Sequence, residues 1–358
     1  MKRLLFFTLI ILYHTASAQI IRKYSNEFLN IGTGARGLAM GGAVISHQDD
    51  VYAPMWNPAG LAEIRSDWQG AAMHAEYFES IAKYDYLAYA KALDRNQGVF
   101  AISIVRLGVD NILNTTQLID QDGNIDYDKI TKFSQADYAG LISFAFKPHH
   151  RWNVGVNAKL VYRNVGKFAN GFGFGFDFGG IYHSDKGWNY GVMLRDATTT
   201  VNFWSINQKE LSAVVNGEEF NPAPKDKLEL TMPKLNLGIS RNFELNRDFN
   251  LLPEVGINVD FAKTAALIST DFASITPYAG AELSFQNMVF LRAGVNRFQN
   301  ITDIESQKRQ VSFQPSAGIG VRYQGLTLDY AITNSGIGGS HLFSNFFSLK
   351  LDMGAFRN

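Results

Sequence analysis

The chain has 358 residues, 33 basic and 33 acidic, with 46% hydrophobic residues, 27 Phe, 15 Tyr and no cysteine. A balanced charge argues against a nucleic-acid binder or a strongly electrostatic surface, and a cysteine-free chain has no disulfide framework. Its length suits one integrated domain with a large core.

Residues 1–18 carry Lys2 and Arg3, an apolar run from Leu4 to Leu12, and Ala16-Ser17-Ala18. That order is a secretory signal peptide, with cleavage expected before Gln19. Losing Lys2 and Arg3 leaves 31 basic against 33 acidic residues, a formal charge of −2. No other stretch approaches the roughly twenty apolar residues of a membrane helix.

Residues 19–66 have a different chemistry. Gly32, Gly34, Gly37, Gly41 and Gly42 crowd one segment, and Trp56-Asn57-Pro58-Ala59-Gly60-Leu61 follows. Neither a dinucleotide nor a P-loop spacing is present. Tight backbone packing in a narrow lumen is the better reading, with Pro58 holding Asn57 extended.

From about Asp67 to Phe356 the chain reads as fourteen segments of alternating apolar and polar residues. Trp152, Val154, Val156, Ala158, Leu160 and Tyr162 interleave with Asn153, Gly155, Asn157, Lys159, Val161 and Arg163; Phe172, Phe174, Phe176 and Phe178 interleave with glycines and Asp177. Alternation marks a sheet with two unlike faces, and strands of about ten residues with aromatic apolar faces and mid-strand charges match a membrane barrel with a polar interior. A closed barrel pairs every backbone group within itself.

The connectors alternate as well. Short ones fall at 94–97, 147–151, 184–187, 245–248, 286–287 and 324–325; long ones fall at about 110–134, 196–229, 262–274, 298–310 and 333–341. Short periplasmic turns and long outer loops put both chain termini on the periplasmic side. The expected fold is all-β: a fourteen-stranded antiparallel transmembrane barrel over 67–358, in the outer membrane, with a hatch or plug over 19–66. Lys159, Arg163, Glu282 and Arg292 are expected to be lumen charges that pair with polar groups of that hatch.

The stretch Ser25–Gly32 through Gly41-Gly42-Ala43, then Asp49-Asp50 and Asn57-Pro58-Ala59-Gly60, closely resembles the start of the PorV/PorQ family of the Bacteroidetes type IX secretion system, itself similar to the FadL group of hydrophobic-compound transporters. The specific motifs lie within residues 25–61. The last strand also resembles the family's, although this chain runs on to Asn358 instead of stopping at an aromatic. The resemblance implies a fourteen-stranded barrel in which Asn57-Pro58-Ala59 is the hatch motif. It also implies partners: a translocon barrel, secreted cargo carrying C-terminal signal domains, and a surface attachment machinery. The alternative it implies is FadL-like transport of hydrophobic small molecules. In the first reading the long loop 196–229, with Phe203, Trp204, Leu211, Val214 and Phe220, is the candidate contact surface.

Other chemistry finds little support. Asp120, Asp122, Asp126 and Asp128 surround Gly123, but an EF-hand frame would place Leu118 and Lys129 where carboxylates are required. His149 and His150 have no third ligand nearby in sequence. No serine sits in a nucleophile elbow, and Ser340-His341 with Asp352 would need adjacent strand residues to share a face. No enzyme, no metal, no cofactor and no nucleic acid are therefore expected, with outer-membrane lipid as the surrounding medium.

Overall fold

A computed structural model describes residues 25–93, 97–120, 123–215, 218–220, 227–302, 309–334 and 342–356. The signal peptide, Gln19, Ser340, His341 and the terminal residues to Asn358 lie outside the described residues, as does Asp122. Alternation produces strands in order: β1 (Trp68–Tyr77), β2 (Ala82–Ala92), β3 (Val99–Asn114), β4 (Thr131–His149), β5 (Trp152–Val165) and β6 (Ala169–His183). Two composite strands follow, β7 (Trp188–Arg195 and Thr200–Ile206) and β8 (Leu228–Thr231 and Lys234–Arg241). The rest are β9 (Phe249–Asp260), β10 (Ser274–Phe285), β11 (Val289–Thr302), β12 (Arg309–Tyr323), β13 (Leu326–Asn334) and β14 (Phe343–Asp352).

Each strand pairs antiparallel with the next, and β14 pairs back onto β1 from Gln69↔Asp352 to Glu76↔Asn345. The result is a closed fourteen-stranded antiparallel barrel. Its outward face carries Phe172, Phe174, Phe176, Phe178, Leu291 and Ile319 to the surroundings. Its inward face carries Asn157, Lys159, Asp177, Glu254, Glu282 and Arg292, all buried. An apolar girdle around a polar interior is what a bilayer demands of a barrel.

The long connectors are shorter than the sequence alone suggests, because β3 and β4 run on past the wall to Asn114 and back from Thr131. The largest difference lies at 196–229. Residues 200–206 resume β7, paired with both β6 and β8, so Phe203 and Trp204 belong to the wall and not to a loop. The connection is 207–227, which holds the short helix Gln208–Leu211 and a hairpin of Ala213–Val215 with Glu218–Phe220. The interruption at 196–199 hid the continuity: Asp196 and Thr199 both have positive φ, and the alternation breaks there.

Candidate functional site

The lumen is filled by residues 25–66. Its segments are short, Glu27–Asn30, Ala35–Ala39, Ala53–Trp56 and Pro58–Glu63, because glycines and Pro54 and Pro58 interrupt any longer helix. They are held instead by what surrounds them.

Asn57 is the central anchor. It is extended (φ −156°, ψ 106°), as a residue before proline should be. Its side-chain oxygen accepts from the Ala59 N–H at 3.1 Å and so caps the helix Pro58–Glu63. Its amide nitrogen donates to the carbonyls of Ile45 (2.8 Å), Gly180 (3.2 Å) and Val192 (3.3 Å), joining two hatch segments to β6 and β7. Pro58 and Ala59 then press on Gly155 and Gly179, where an added Cβ would stand 2.4 Å from Ala59 N and 2.1 Å from Asn57 Oδ1. At Gly60 a Cβ would meet the Gln48 carbonyl at 2.0 Å. These residues therefore act as a wedge.

Three glycines of the segment serve one side chain. Trp56 lies over them, its indole N–H donating to the Thr33 carbonyl at 2.7 Å. A Cβ at Gly32 or Gly37 would be 2.3 or 2.7 Å from the ring. Gly42 faces the same ring, Gly34 faces Tyr52, and Gly41 faces the backbone of Val295. On the wall, Gly191, Gly280 and Gly294 receive hatch backbone at Ile45 and Met40. Of the β6 glycines, Gly179 packs on the hatch, whereas Gly171, Gly173 and Gly175 make room for Trp204, Asn202 and Thr200 of β7.

Charged latches sit between these contacts. Glu254, fully buried, accepts from the N–H groups of Ile45 (2.8 Å) and Ser46 (2.9 Å), from the Ser46 hydroxyl and from His47 Nδ1 (2.9 Å). Arg36 reaches Glu282 at 2.9 Å, and Glu282 continues through Arg292 (2.6 Å) to Asp329 (2.6 Å). Lys350 holds Asp50 at 3.0 Å. Arg195 donates to the Leu29 carbonyl at 3.1 Å and to the Met55 carbonyl. Of the four lumen charges expected to pair with the hatch, only Glu282 does so among the described residues. Lys159 pairs with Asp177 and Asp196, Arg163 with Asp137 and Glu229, and Arg292 with Glu282 and Asp329, all within the wall. Glu254, Arg195 and Lys350 do that work, and nothing in the sequence distinguishes them from other polar residues on alternating strands.

At the short-turn end, Glu63 accepts from Asn153 (2.7 Å), Lys147 (2.9 Å) and His183 (3.1 Å). Burial alone would raise its pKa. The hydrogen bonds outweigh that and hold the carboxyl well below the usual range.

One sector of the lumen is apolar. Tyr77 meets Tyr84 and Phe346 edge-on at 6.3 and 5.1 Å, Tyr52 stacks on Tyr86 at 5.3 Å, and Met73 and Val105 fill the gaps; all are buried on the inward faces of β1–β3 and β14 or on the hatch. Beside this layer, Leu29, Met55, Leu141, Lys159, Met193 and Arg195 line a cavity of about 20 Å³, room for about one water. Of the loop residues singled out in the sequence, Phe203 faces outward, Trp204 faces inward and donates to Glu229 at 3.0 Å beneath Arg163, and Leu211 is half-buried on its helix. Phe220 ends the loop hairpin, with its side chain outside the described residues. Asp120 and Asp126 spend their carboxylates on the N–H groups of Asn124 and Asp128 within their own turns.

No protein-family model matches the chain, and no curated protein matches it. Solved structures do. The chain is similar to the Pseudomonas putida toluene transporter TodX, at 14% identity over 90% of this chain and 98% of that one, with a TM-score of 0.56. It is similar to the Ralstonia pickettii toluene transporter TbuX at 12% identity over 90% and 98%, TM-score 0.56. A Pseudomonas aeruginosa FadL homologue matches at 11% identity over 89% and 98%, TM-score 0.50. At such identities the likeness shows the fold alone, the closed fourteen-stranded barrel that FadL-like outer-membrane proteins share.

Proposed function

We propose that the protein is an outer-membrane conduit for small hydrophobic molecules, held closed in this state by its hatch. The observation that carries this reading is the apolar sector of the lumen, Tyr77, Tyr84, Tyr86, Met73, Val105 and Phe346. A barrel that passes only water-soluble solutes has a polar interior, so an aromatic layer facing inward suits an apolar passenger. Near-complete coverage of two toluene transporters supports the same reading. The cavity of about 20 Å³ is far below the roughly 150 Å³ that holds a benzene, so passage requires the hatch to shift. Uptake of radiolabelled toluene by cells with and without the protein tests this. Equal uptake, with the barrel correctly folded in the membrane, would overturn it.

A second reading is favoured by the wedge itself. A hatch seated backbone to backbone suits a barrel that works through its surfaces, and Asn57-Pro58-Ala59-Gly60 with the preceding glycines resembles the PorV/PorQ hatch. On that reading the protein belongs to the type IX secretion system, binds the translocon barrel or cargo C-terminal domains at the 207–227 loop, and passes cargo to the attachment machinery. Co-purification from outer membranes distinguishes the two: a large barrel or secreted proteins on this reading, apolar small molecules and no partner on the first.

A further inference from the structure

On β1, β2 and β3 the outward face is charged where every neighbouring strand is apolar. His74, Asp85 and Arg106 are direct cross-strand partners. His74 Nδ1 lies 2.7 Å from Asp85, and Arg106 donates to the other oxygen of Asp85 at 3.3 Å. Their side chains are 50%, 40% and 32% exposed. They point away from the lumen, since the alternate positions Met73, Ala75, Tyr84, Tyr86 and Val105 are buried inside.

The register fixes their depth. His74 is the seventh of ten residues in β1, Asp85 the fourth of eleven in β2 and Arg106 the eighth of sixteen in β3. Trp68 and Tyr89, tilted against each other with ring centroids 5.9 Å apart near the short turns, mark the aromatic rim on one side. Along the same ladder row the adjoining outward residues are Phe347 and Tyr330 on one flank and Tyr138, Tyr162 and Phe172 on the other. Among the described residues, the outward ion pairs of the strands all lie in this patch; Lys83 with Asp110, one level nearer the loops, completes it. A charge on a lipid-facing position is unfavourable, most of all near the middle of the bilayer.

We infer that this face is covered by a second copy of the chain, in a dimer whose two-fold axis runs along the membrane normal between β2 and β3. Such an axis keeps each residue at its depth and exchanges the two strands. Asp85 of one copy then meets Arg106 of the other, and the reverse, because anion and cation occupy neighbouring strands at the same level. The in-chain contact at 3.3 Å involves one of the guanidinium's five donors, so a second carboxylate can be accommodated. Leu87 and Ile104, paired one level toward the short turns and 61% and 48% exposed, supply the apolar part of the interface.

The chain has no cysteine, so single introduced cysteines report the contact directly. Full-length Leu87→Cys and Ile104→Cys proteins, oxidised in intact outer membranes, are expected to give disulfide-linked dimers. Ile319→Cys, outward on β12, gives none. Adding Asp85→Arg should abolish the dimer, and adding Arg106→Asp to that variant should restore it. Heat-modifiable mobility reports folding throughout; if Asp85→Arg fails to fold, the two cysteine variants decide alone. Folded protein whose Leu87→Cys and Ile104→Cys forms stay monomeric, or link only to a different protein, would overturn the inference.

Discussion

The hatch meets the barrel in two unlike ways. Against β5, β6, β7, β10 and β11 it touches glycines, at Gly155, Gly179, Gly191, Gly280 and Gly294; the contact is backbone on backbone at four of them and with the Asn57 and Pro58 side chains at Gly179. Against β1, β2 and β14 it packs in one cluster with large side chains, Met73, Tyr84, Tyr86 and Phe346. A contact made by leaving atoms out has no slack, because nothing on the wall can change rotamer to make room. A contact made by packed rings can repack. The first sector fixes the hatch and the second leaves it something to slide against.

The largest loss is expected in the fixed sector. Glu254→Ala would leave the Ile45 and Ser46 N–H groups buried without an acceptor and should destabilise the folded barrel by about 3–5 kcal/mol, read as a lower urea midpoint for loss of heat-modifiable mobility. A shift as small as that of Tyr86→Phe would mean that Glu254 does not seat the hatch. Next, Gly294→Ala places a methyl 2.1 Å from the Met40 carbonyl carbon and should cost about 1–3 kcal/mol, while Gly140→Ala, with open space around its Cβ, should cost almost nothing. Equal effects of the two alanines would show that the close approach of the hatch at Gly294 carries no cost of its own.

In the packed sector the Tyr84 hydroxyl is buried with no hydrogen-bond partner. Tyr84→Phe keeps the ring and should be neutral or stabilising by up to about 1 kcal/mol in the same urea titration. A clear loss of stability would show that the hydroxyl is satisfied.

The smallest effect concerns the Glu63 tether. Its carboxyl is held below the ordinary value of about 4.3, so the fold favours the ionised form. That contribution is present above about pH 4.3 and is lost as pH falls toward the lowered folded value. Glu63→Gln should therefore lower stability at pH 7 by the whole of that contribution and flatten the acid limb, so that the gap from wild type closes as pH falls below about 4.3. An acid limb identical to wild type would rule out the tether.

Alternation and connector length carried most of the fold, since a two-faced wall repeats every second residue and β5, β6, β12 and β13 do so without a break. The same rule failed at 196–199. There Asp196 turns inward to Lys159 at positive φ, and the strand resumes beyond it, so Phe203 and Trp204 read as loop. The tight packing of residues 25–66 was legible as crowded glycine and Asn57-Pro58. Its anchors were not, because Glu254 and Arg195 look in sequence like any polar residue facing a lumen. The patch His74, Asp85 and Arg106 escaped for a subtler reason. Each sits in a well-formed strand, but outside and inside are exchanged relative to its charge, and only the register reveals which face it occupies.

The glycine contacts also constrain the order of assembly. A body pinned on five strands at once by atoms lying within van der Waals reach cannot be threaded into a ring already closed, since every wall position would have to retreat together. The ladder between β1 and β14, from Gln69↔Asp352 to Glu76↔Asn345, must then be the last to zip, over a hatch already in its seat. Hatch peptide supplied after a hatchless barrel has closed should accordingly find no way in, and its recovery inside such a barrel by crosslinking would refute that sequence of events.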